Sequence, residues 1–225
     1  MQNLKLNNIF DFYHSSGLYD RVIFKKKIKK ENNITINHVK KSLENLSYIF
    51  DKNKEHLVFS DGNFKSKIMI IGEAPGVSDE KENKPFVGEA GKLLDKMLSA
   101  INLTRNIVYI TNVINFRPPD NRKPTVKEIE KFKPLLLQHI SLIRPEVILL
   151  LGSTAYETFF GSDVSITKSR GQWLKINIDE LNIDCIASFH PAFLLRQPQQ
   201  KKYSWEDLKK LKEKIVEKNI ISDYA

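Results

Sequence analysis

The chain of 225 residues is long enough to bury one sizeable core, and its hydrophobic fraction of 41% is ordinary for a globular domain. No apolar run approaches the ~20 residues of a membrane span, and the N-terminus lacks the apolar segment of a signal peptide, so we expect no membrane association and a cytoplasmic location. The 36 Lys and Arg residues against 27 Asp and Glu give a formal charge of +9, which favours a polyanionic partner such as nucleic acid.

Residues 1–55 are predicted to form a basic, partly helical appendage, and residues 56–225 are predicted to form an α/β domain. The cluster at residues 24–30 contains five lysines, which suit either contacts with a phosphate backbone or a solvated face. Apolar residues recur at helical spacing from Val39 to Ile49.

Four short apolar runs follow, at residues 68–71, 107–113, 147–151 and 183–189, and each reads as a buried strand. Helical patterns alternate with them near residues 93–101, 125–142, 153–160 and 204–216. Residues 165–178 are interpreted as a basic loop followed by the apolar Trp173. The alternation predicts a three-layer α/β/α sandwich around a central four-stranded, mainly parallel sheet.

Polar and aromatic side chains follow the ends of these strands, namely Glu73, Phe86, Asn112 and His190. Each has an ordinary structural explanation as a surface acid, a core aromatic, a turn residue or a satisfied histidine. Ligands of α/β proteins bind at the carboxyl ends of the strands, where these four side chains are expected to meet. Together they supply an aromatic face, an amide edge and a donor to a developing anion, which are the parts needed to hold an extruded pyrimidine.

Five short motifs stand at these strand ends and in the attached loops: Gly72-Glu73-Ala74-Pro75-Gly76, Pro85-Phe86-Val87-Gly88, Thr111-Asn112-Val113, Arg117-Pro118-Pro119 with Asn121-Arg122, and the run from His190 to Leu195. In order and spacing, from about Leu57 to Leu211, they resemble the uracil-DNA glycosylase superfamily, most closely its family 4. Five separated motifs make the resemblance specific, whereas the first motif alone would not.

The resemblance implies an enzyme that flips uracil out of DNA and hydrolyses its N-glycosidic bond, leaving an abasic site. It implies that Glu73 orients or activates the attacking water and that the Ala74 backbone helps to hold this water. It also implies that His190 hydrogen-bonds uracil O2 as negative charge builds up on the leaving base.

The substrate-binding residues implied by the resemblance are Gly72, Asp79, Phe86 and Asn112. Phe86 would stack on the flipped uracil, Asn112 would read its polar edge, and Asp79 would block the methyl group of thymine. The DNA-binding residues predicted from charge and motif are Arg117, Asn121, Arg122, Lys168, Arg170, Leu194 and Arg196. Among these, Leu194 would fill the hole that the flipped base leaves in the duplex.

The chain departs from family 4 in its cysteines. Members of that family commonly hold an iron–sulfur cluster through four cysteines, but this sequence has one, Cys185, in a predicted strand. Two of the positions that match cluster ligands carry Phe116 and Phe132. We therefore expect no iron–sulfur cluster, no other cofactor and no metal, with the two phenylalanines packing together instead.

The expected partner is uracil-containing DNA, single- or double-stranded, bound by a monomer. One alternative is a DNA-binding or polymerase-associated module of the same fold without turnover, although a module that only binds has no chemical need for Glu73, Asn112 and His190 together. A nucleotide-binding Rossmann enzyme is ranked last, because the sequence lacks G-x-G-x-x-G and the acidic residue beyond it.

Overall fold

A computed structural model of the protein describes residues 34–221. The predicted basic cluster at residues 24–30 lies outside the described residues. Within the described range, no helix is long and apolar enough to cross a membrane.

The described chain contains one six-stranded sheet in the order β1-β3-β2-β4-β6-β5. Its strands are β1 (Asp61–Gly62), β2 (Ile68–Gly72), β3 (Tyr109–Asn112), β4 (Val147–Leu151), β5 (Trp173–Ile178) and β6 (Leu181–Ser188). The four predicted strands are confirmed as the central parallel strands β3-β2-β4-β6. The predicted strand count was too low, because the antiparallel strands β1 and β5 extend the two edges.

The α-helices of residues 34–221 are α1 (Ile36–Glu44), α2 (Val77–Glu82), α3 (Glu89–Ser99), α4 (Val126–Ile143), α5 (Ser153–Phe160), α6 (Ile166–Ser169), α7 (Pro191–Arg196) and α8 (Lys201–Glu217). Short 3₁₀ turns lie at Ser47–Phe50, Lys54–His56, Pro119–Asn121 and Pro198–Gln200. Thr125 and Glu128 form the predicted capping box at the start of α4, with Glu128 Oε2 accepting from Thr125 N at 2.7 Å.

The central strands are buried on both faces, which explains why they read as continuous apolar runs. Alternate residues of β2 point to two separate cores: Met69 and Ile71 pack in one, and Ile68 and Ile70 in the other. The first core includes residues of α1, α4 and α5, and the second includes residues of α3, α7 and α8. This arrangement confirms the predicted three-layer α/β/α architecture.

Helix α1 belongs to the segment that the sequence assigned to an N-terminal appendage. Its buried residues Val39 and Leu43 pack in the same core as Ile71 and Phe132. The described part of that segment therefore contributes to the core of the α/β domain, while the division at residue 55 stays a prediction.

The strand order places a topological switch at β2. Strands β3 and β4, which follow β2 in the chain, lie on its opposite sides. Helices that leave neighbouring strands in opposite directions open a crevice at the carboxyl ends of those strands. The residues that immediately follow β2 and β4 are therefore the ones that the fold brings to a binding site.

Candidate active site

A cleft of about 610 Å³ opens at this carboxyl edge of the sheet. The residues directly after three parallel strands line it: Glu73 and Ala74 after β2, Gly152 after β4, and Phe189 and His190 after β6. Helix α2, the loop between α2 and α3, the loop after β3 and helix α7 complete the walls with Asp79, Phe86, Asn121, Arg122 and Arg196. The structure thus brings together residues that the sequence predicted from motifs more than 100 positions apart.

The Glu73 side chain, at the end of β2, is held by a residue of α5, the helix that follows the neighbouring strand β4. The hydroxyl of Thr154, in the first turn of α5, donates a hydrogen bond to Glu73 Oε2. The Glu73 carbonyl accepts from Ile114 N at 3.0 Å, which fixes the backbone. A carboxylate with one oxygen bound in this way keeps its other oxygen available to a water or substrate in the cleft.

His190 caps the N-terminus of α7. Its Nδ1 accepts a hydrogen bond from the backbone N–H of Ala192 at 3.1 Å. A neutral imidazole whose Nδ1 accepts must carry its proton on Nε2. The residue before α7 is therefore fixed as a neutral hydrogen-bond donor on the wall of the cleft.

The charge state of His190 agrees with that tautomer. Burial of the imidazole, together with the nearby charge of Arg196, lowers the pKa of His190 to about 4, against a smaller opposing effect of Asp79. His190 packs closely against the backbone of Gly152. A side chain at position 152 would clash there, because its Cβ atom would lie only 2.9 Å from the Cβ of His190. At neutral pH the cleft therefore contains an uncharged imidazole.

Phe86 and Asn112 meet above Gly72, at the end of β2. A Cβ atom at Gly72 would lie 2.4 Å from both Asn112 Oδ1 and the tip of the Phe86 ring, so only glycine fits there. The Phe86 ring also stacks on His190, with centroids 5.5 Å apart and an interplanar angle of 29°. Gly72, predicted as a substrate-binding residue, thus acts by making room for the two side chains.

The Asn112 amide is the most unusual polar group at the site. The residue is only 1% exposed, and within the described residues neither Oδ1 nor Nδ2 has a hydrogen-bond partner. An unsatisfied buried amide is costly, typically ~1–3 kcal/mol for each group, and such groups concentrate where a ligand completes the bonds. Asn112 lies beside the Phe86 ring, with both an acceptor and a donor unused.

The backbone of Phe86 is held in an unfavourable conformation by a residue that the sequence did not single out. Phe86 has a φ of 58°, in the left-handed region. The guanidinium of Arg105 donates to the carbonyls of Pro85 (3.1 Å) and Phe86, and it pairs with Asp61 at 2.8 Å and Asp95 at 2.7 Å. Arg105 therefore fixes the position of the aromatic ring in the cleft.

Asp79 uses both carboxylate oxygens to fold its own loop. Its Oδ2 accepts from Gly76 N at 3.0 Å and its Oδ1 accepts from Val87 N at 2.8 Å. These bonds join the two ends of the segment between β2 and α3. Asp79 also lines the cleft, so its expected role against a methyl group stays a prediction next to this structural one.

The predicted DNA-binding cations differ in how far their charge is neutralised. Arg122 forms two hydrogen bonds with Glu128, at 2.6 and 2.9 Å. Arg117 forms an ion pair with Glu80 at 3.4 Å and bonds to Asn121 at 2.7 Å. Lys168 and Arg196 are exposed, and no ion pair involves either of them within residues 34–221. Arg196 and Lys168 are thus the predicted cations best placed to meet a phosphate.

Arg170 requires a correction. Its guanidinium pairs with the fully buried Asp207, is bonded to the carbonyl of Tyr203, and lies over the rings of Phe189 and Tyr203 at 5.8 and 5.2 Å. Its side chain is 14% exposed. Arg170 therefore ties α6 to α8 inside the protein, and it does not offer a free charge to DNA.

Leu194 also differs from its prediction. It is 1% exposed and packs in the core with Leu208 and Leu211, whereas Leu195 is 43% exposed. Consecutive residues of a helix point about 100° apart, so the phase of α7 turns one leucine inward and the next outward. A side chain that enters a DNA stack must be exposed, and Leu195 is the leucine of α7 that meets this condition.

The positions matched to cluster cysteines form an aromatic core, as predicted. Phe116 and Phe132 are fully buried, with ring centroids 6.4 Å apart at 65°, and Phe50 packs on Phe132 at 6.0 Å. Within the described residues, no group of three or more His, Cys, Asp and Glu side chains is arranged to hold a metal ion. Burial raises the pKa of the Cys185 thiol, which lies inside β6. The residues present do not fit an iron–sulfur cluster.

The fold and this site define an α/β protein with a cleft at the switch point of a parallel sheet. A carboxylate, a neutral histidine and an aromatic ring line the cleft, and a buried amide lies beside the ring. Residues 59–212 match the model of the uracil DNA glycosylase superfamily, and the chain belongs to this superfamily.

Relatives of the chain carry the name of one branch of that superfamily. The chain is 40% identical to a type-4 uracil-DNA glycosylase of Archaeoglobus fulgidus, over 72% of this chain and 83% of that protein. It is 41% identical to the type-4 enzyme of Saccharolobus solfataricus (76% and 82% covered) and 41% identical to that of Thermotoga maritima (71% and 83% covered).

Proposed function

We propose that this protein is a uracil-DNA glycosylase, a hydrolase that cleaves the N-glycosidic bond between uracil and deoxyribose in DNA and leaves an abasic site. The observation that carries the proposal is that Glu73, the neutral His190 and Phe86 line one cleft. The unpartnered Asn112 amide lies beside the Phe86 ring. Family membership and the type-4 relatives support the same activity.

The donor and acceptor of Asn112 match the edge of uracil. The amide Nδ2 donates to uracil O4, and Oδ1 accepts from uracil N3–H. Cytosine presents an amine and an unprotonated ring nitrogen at these places, so its edge opposes both groups. The two unused atoms of Asn112 support this role, because a bound uracil satisfies both of them.

His190 and Glu73 share the chemical step. As the bond from the sugar C1′ to uracil N1 breaks, negative charge spreads to uracil O2, and His190 Nε2–H donates a hydrogen bond to that oxygen. The sugar gains positive character, which the ionised Glu73 stabilises while it accepts a hydrogen bond from the attacking water. The water oxygen bonds to C1′, and the proton that it loses ends on the departing uracil or in solvent.

The proposed reaction is monofunctional. An enzyme that also cleaves the strand uses an amine nucleophile, and no lysine is among the described residues that line the cleft. Water is therefore the nucleophile. The protein acts as a monomer in the cytoplasm, and Arg117, Asn121, Arg122, Lys168 and Arg196 meet the phosphates on either side of the flipped nucleotide.

We expect the purified protein to release free uracil from a uracil-containing oligonucleotide and to leave the backbone intact until heat or base is added. Asn112→Asp should lower kcat/KM for uracil roughly 10–100-fold, because an ionised carboxylate lacks the donor to O4. The matched control is Asn63→Asp, which adds the same charge outside the cleft and keeps the side-chain oxygen that accepts from Lys65 N. Direct strand cleavage contradicts the monofunctional proposal, and equal effects of the two variants contradict the role of Asn112.

A second expectation concerns the leucines of α7. Leu195→Ala should lower activity on duplex uracil much more than on single-stranded uracil, because a single strand needs little unstacking. Leu194→Ala should instead destabilise the fold by roughly 2–5 kcal/mol and affect both substrates alike. Activity on matched duplex and single-stranded oligonucleotides, together with urea unfolding, separates the two residues. A duplex-specific loss in the Leu194 variant alone would restore the original assignment.

We also propose that the protein works without an iron–sulfur cluster. The support is the aromatic packing of Phe50, Phe116 and Phe132 at the matched positions, where no thiolate is available. Iron analysis of the purified protein tests this proposal.

The alternative of a non-catalytic DNA-binding module receives less support. Binding alone requires the basic rim and an aromatic platform, but it does not require a neutral histidine donor and a carboxylate held by Thr154 in the same cleft. Uracil release by the wild-type protein decides between the two.

A further inference from the structure

The turn from β4 into α5, residues 152–154, contacts both groups of the proposed chemistry. Gly152 has a φ of 90° and touches His190, where a side chain would clash. Two residues later, the Thr154 hydroxyl donates to Glu73 Oε2. Because β4 pairs with both β2 and β6, this turn lies between the strand ends that carry Glu73 and His190.

The Thr154 side chain is built to hold one orientation. It is fully buried, and its branched Cβ restricts the rotation that would move the hydroxyl. The Thr154 carbonyl accepts from the Thr158 hydroxyl at 2.7 Å, which secures the first turn of α5. A hydroxyl has a single proton, so donating it to Glu73 directs that proton to one carboxylate oxygen.

The Glu73 carboxylate is otherwise weakly restrained. Within residues 34–221, the Thr154 hydroxyl is the only side-chain group that donates a hydrogen bond to this carboxylate, and no cation pairs with it. A partly exposed glutamate has three rotatable bonds, so without Thr154 its carboxylate would sample several directions. Thr154 fixes Oε2, and Oε1 stays available to a group in the cleft that Glu73 lines.

We propose that Thr154 is a positioning residue for the glycosylase reaction. Its hydroxyl holds Glu73 so that Oε1 accepts the hydrogen bond of the attacking water and lies near the developing positive charge on the sugar. The inference rests on the proposed function, and it adds a residue that touches neither the base nor the water.

The test compares Thr154→Val, which keeps the shape and removes the donor, with Thr154→Ser, which keeps the donor. Thr154→Val should lower kcat roughly 10–100-fold with KM nearly unchanged, because a hydrogen bond to a charged group is lost at the reacting centre and not at the DNA contacts. Thr154→Ser should recover most of the activity. Thr158→Val is the matched control, because it removes a buried hydroxyl from the same helix that does not contact Glu73.

A double-mutant cycle distinguishes positioning from a general loss of stability. In a Glu73→Ala background, measured in single turnover, Thr154→Val should have no further effect on the rate. If Thr154→Val lowers the rate equally in both backgrounds, or if it behaves like Thr158→Val, the inference is overturned. Should the valine variant fail to fold, Thr154→Ala takes its place in the same cycle.

The failure of this inference and the failure of the proposed function look different. A wild-type protein that releases no uracil refutes the proposed function. A wild-type protein that releases uracil and a folded Thr154→Val variant with the same kcat refute only the role of Thr154.

Discussion

Replacing His190 with alanine is expected to lower kcat on uracil-containing DNA roughly 10²–10³-fold while DNA affinity stays close to that of the wild type. The imidazole donates to an oxygen that becomes strongly basic only as the glycosidic bond breaks, so its contribution appears in the transition state and not in binding. Single-turnover rates and DNA binding measured on the same oligonucleotide test this expectation. An equal loss in kcat and in affinity would instead assign His190 to substrate binding.

His139 provides the matched control for this experiment. His139 is 1% exposed, and burial lowers its pKa to about 4. It does not line the cleft, and its Nε2 lies 2.6 Å from the hydroxyl oxygen of Tyr109. His139→Ala should lower the free energy of unfolding and leave kcat unchanged at temperatures where the variant is folded. A comparable loss of kcat in both variants would show that the effect of His190→Ala is structural.

The charge state of His190 also fixes the expected pH dependence. Because its pKa lies near 4 in the folded protein, the neutral donor persists through pH 6.5, and the acid loss of activity due to this group should occur only near pH 4. Stability behaves differently. Both His139 and His190 bind a proton near pH 6.5 when unfolded and near pH 4 when folded, so lowering the pH across this window favours the unfolded state. A midpoint of activity near pH 6.5 at a temperature where the protein stays folded contradicts the neutral tautomer.

The sequence was sufficient for the central architecture because the four parallel strands are buried on both faces and appear as continuous apolar runs. The edge strands lack this signal. Strand β1 has two residues, and β5 alternates exposed and buried positions such as Lys175 and Ile176, so its segment resembled a loop. Continuous apolar runs thus located the strands that position the site, and they missed the two strands at the edges of the sheet.

The members of the site were predictable, but their side-chain partners were not. Glu73 and His190 lie within two residues of strand ends, and the topology brings such residues to one edge. Thr154 comes three residues after the end of β4 and lies at the same edge. The contacts of Arg105 with Pro85 and of Arg170 with Asp207 join residues 20 and 37 positions apart, and no local pattern indicates them.

The prediction that Leu194 enters the DNA stack was wrong because the sequence did not reveal which side of α7 faces the core. Helix α7 has six residues, too few for a periodic pattern to show which of two adjacent leucines faces the core. The packing of Phe116 against Phe132 was predicted correctly, and both side chains are fully buried.

Phe132→Ala is expected to destabilise the protein by roughly 3–5 kcal/mol, the usual cost of removing a fully buried phenylalanine. Its ring contacts Phe50 and Phe116, so its loss opens a cavity between α4, the turn at residues 47–50 and the loop after β3. Urea unfolding should show a lower midpoint, and DNA binding should weaken because that loop carries Arg117 and Arg122. Tyr48→Ala, on the same turn but 66% exposed, is the control that should change stability little.

Wild-type protein purified without oxygen should be colourless and free of stoichiometric iron, and chelators should leave its activity unchanged. Bound iron would contradict the expected absence of a cluster. A Phe132→Ala variant as stable as the wild type would show that the aromatic core does not stabilise this region in place of a cluster.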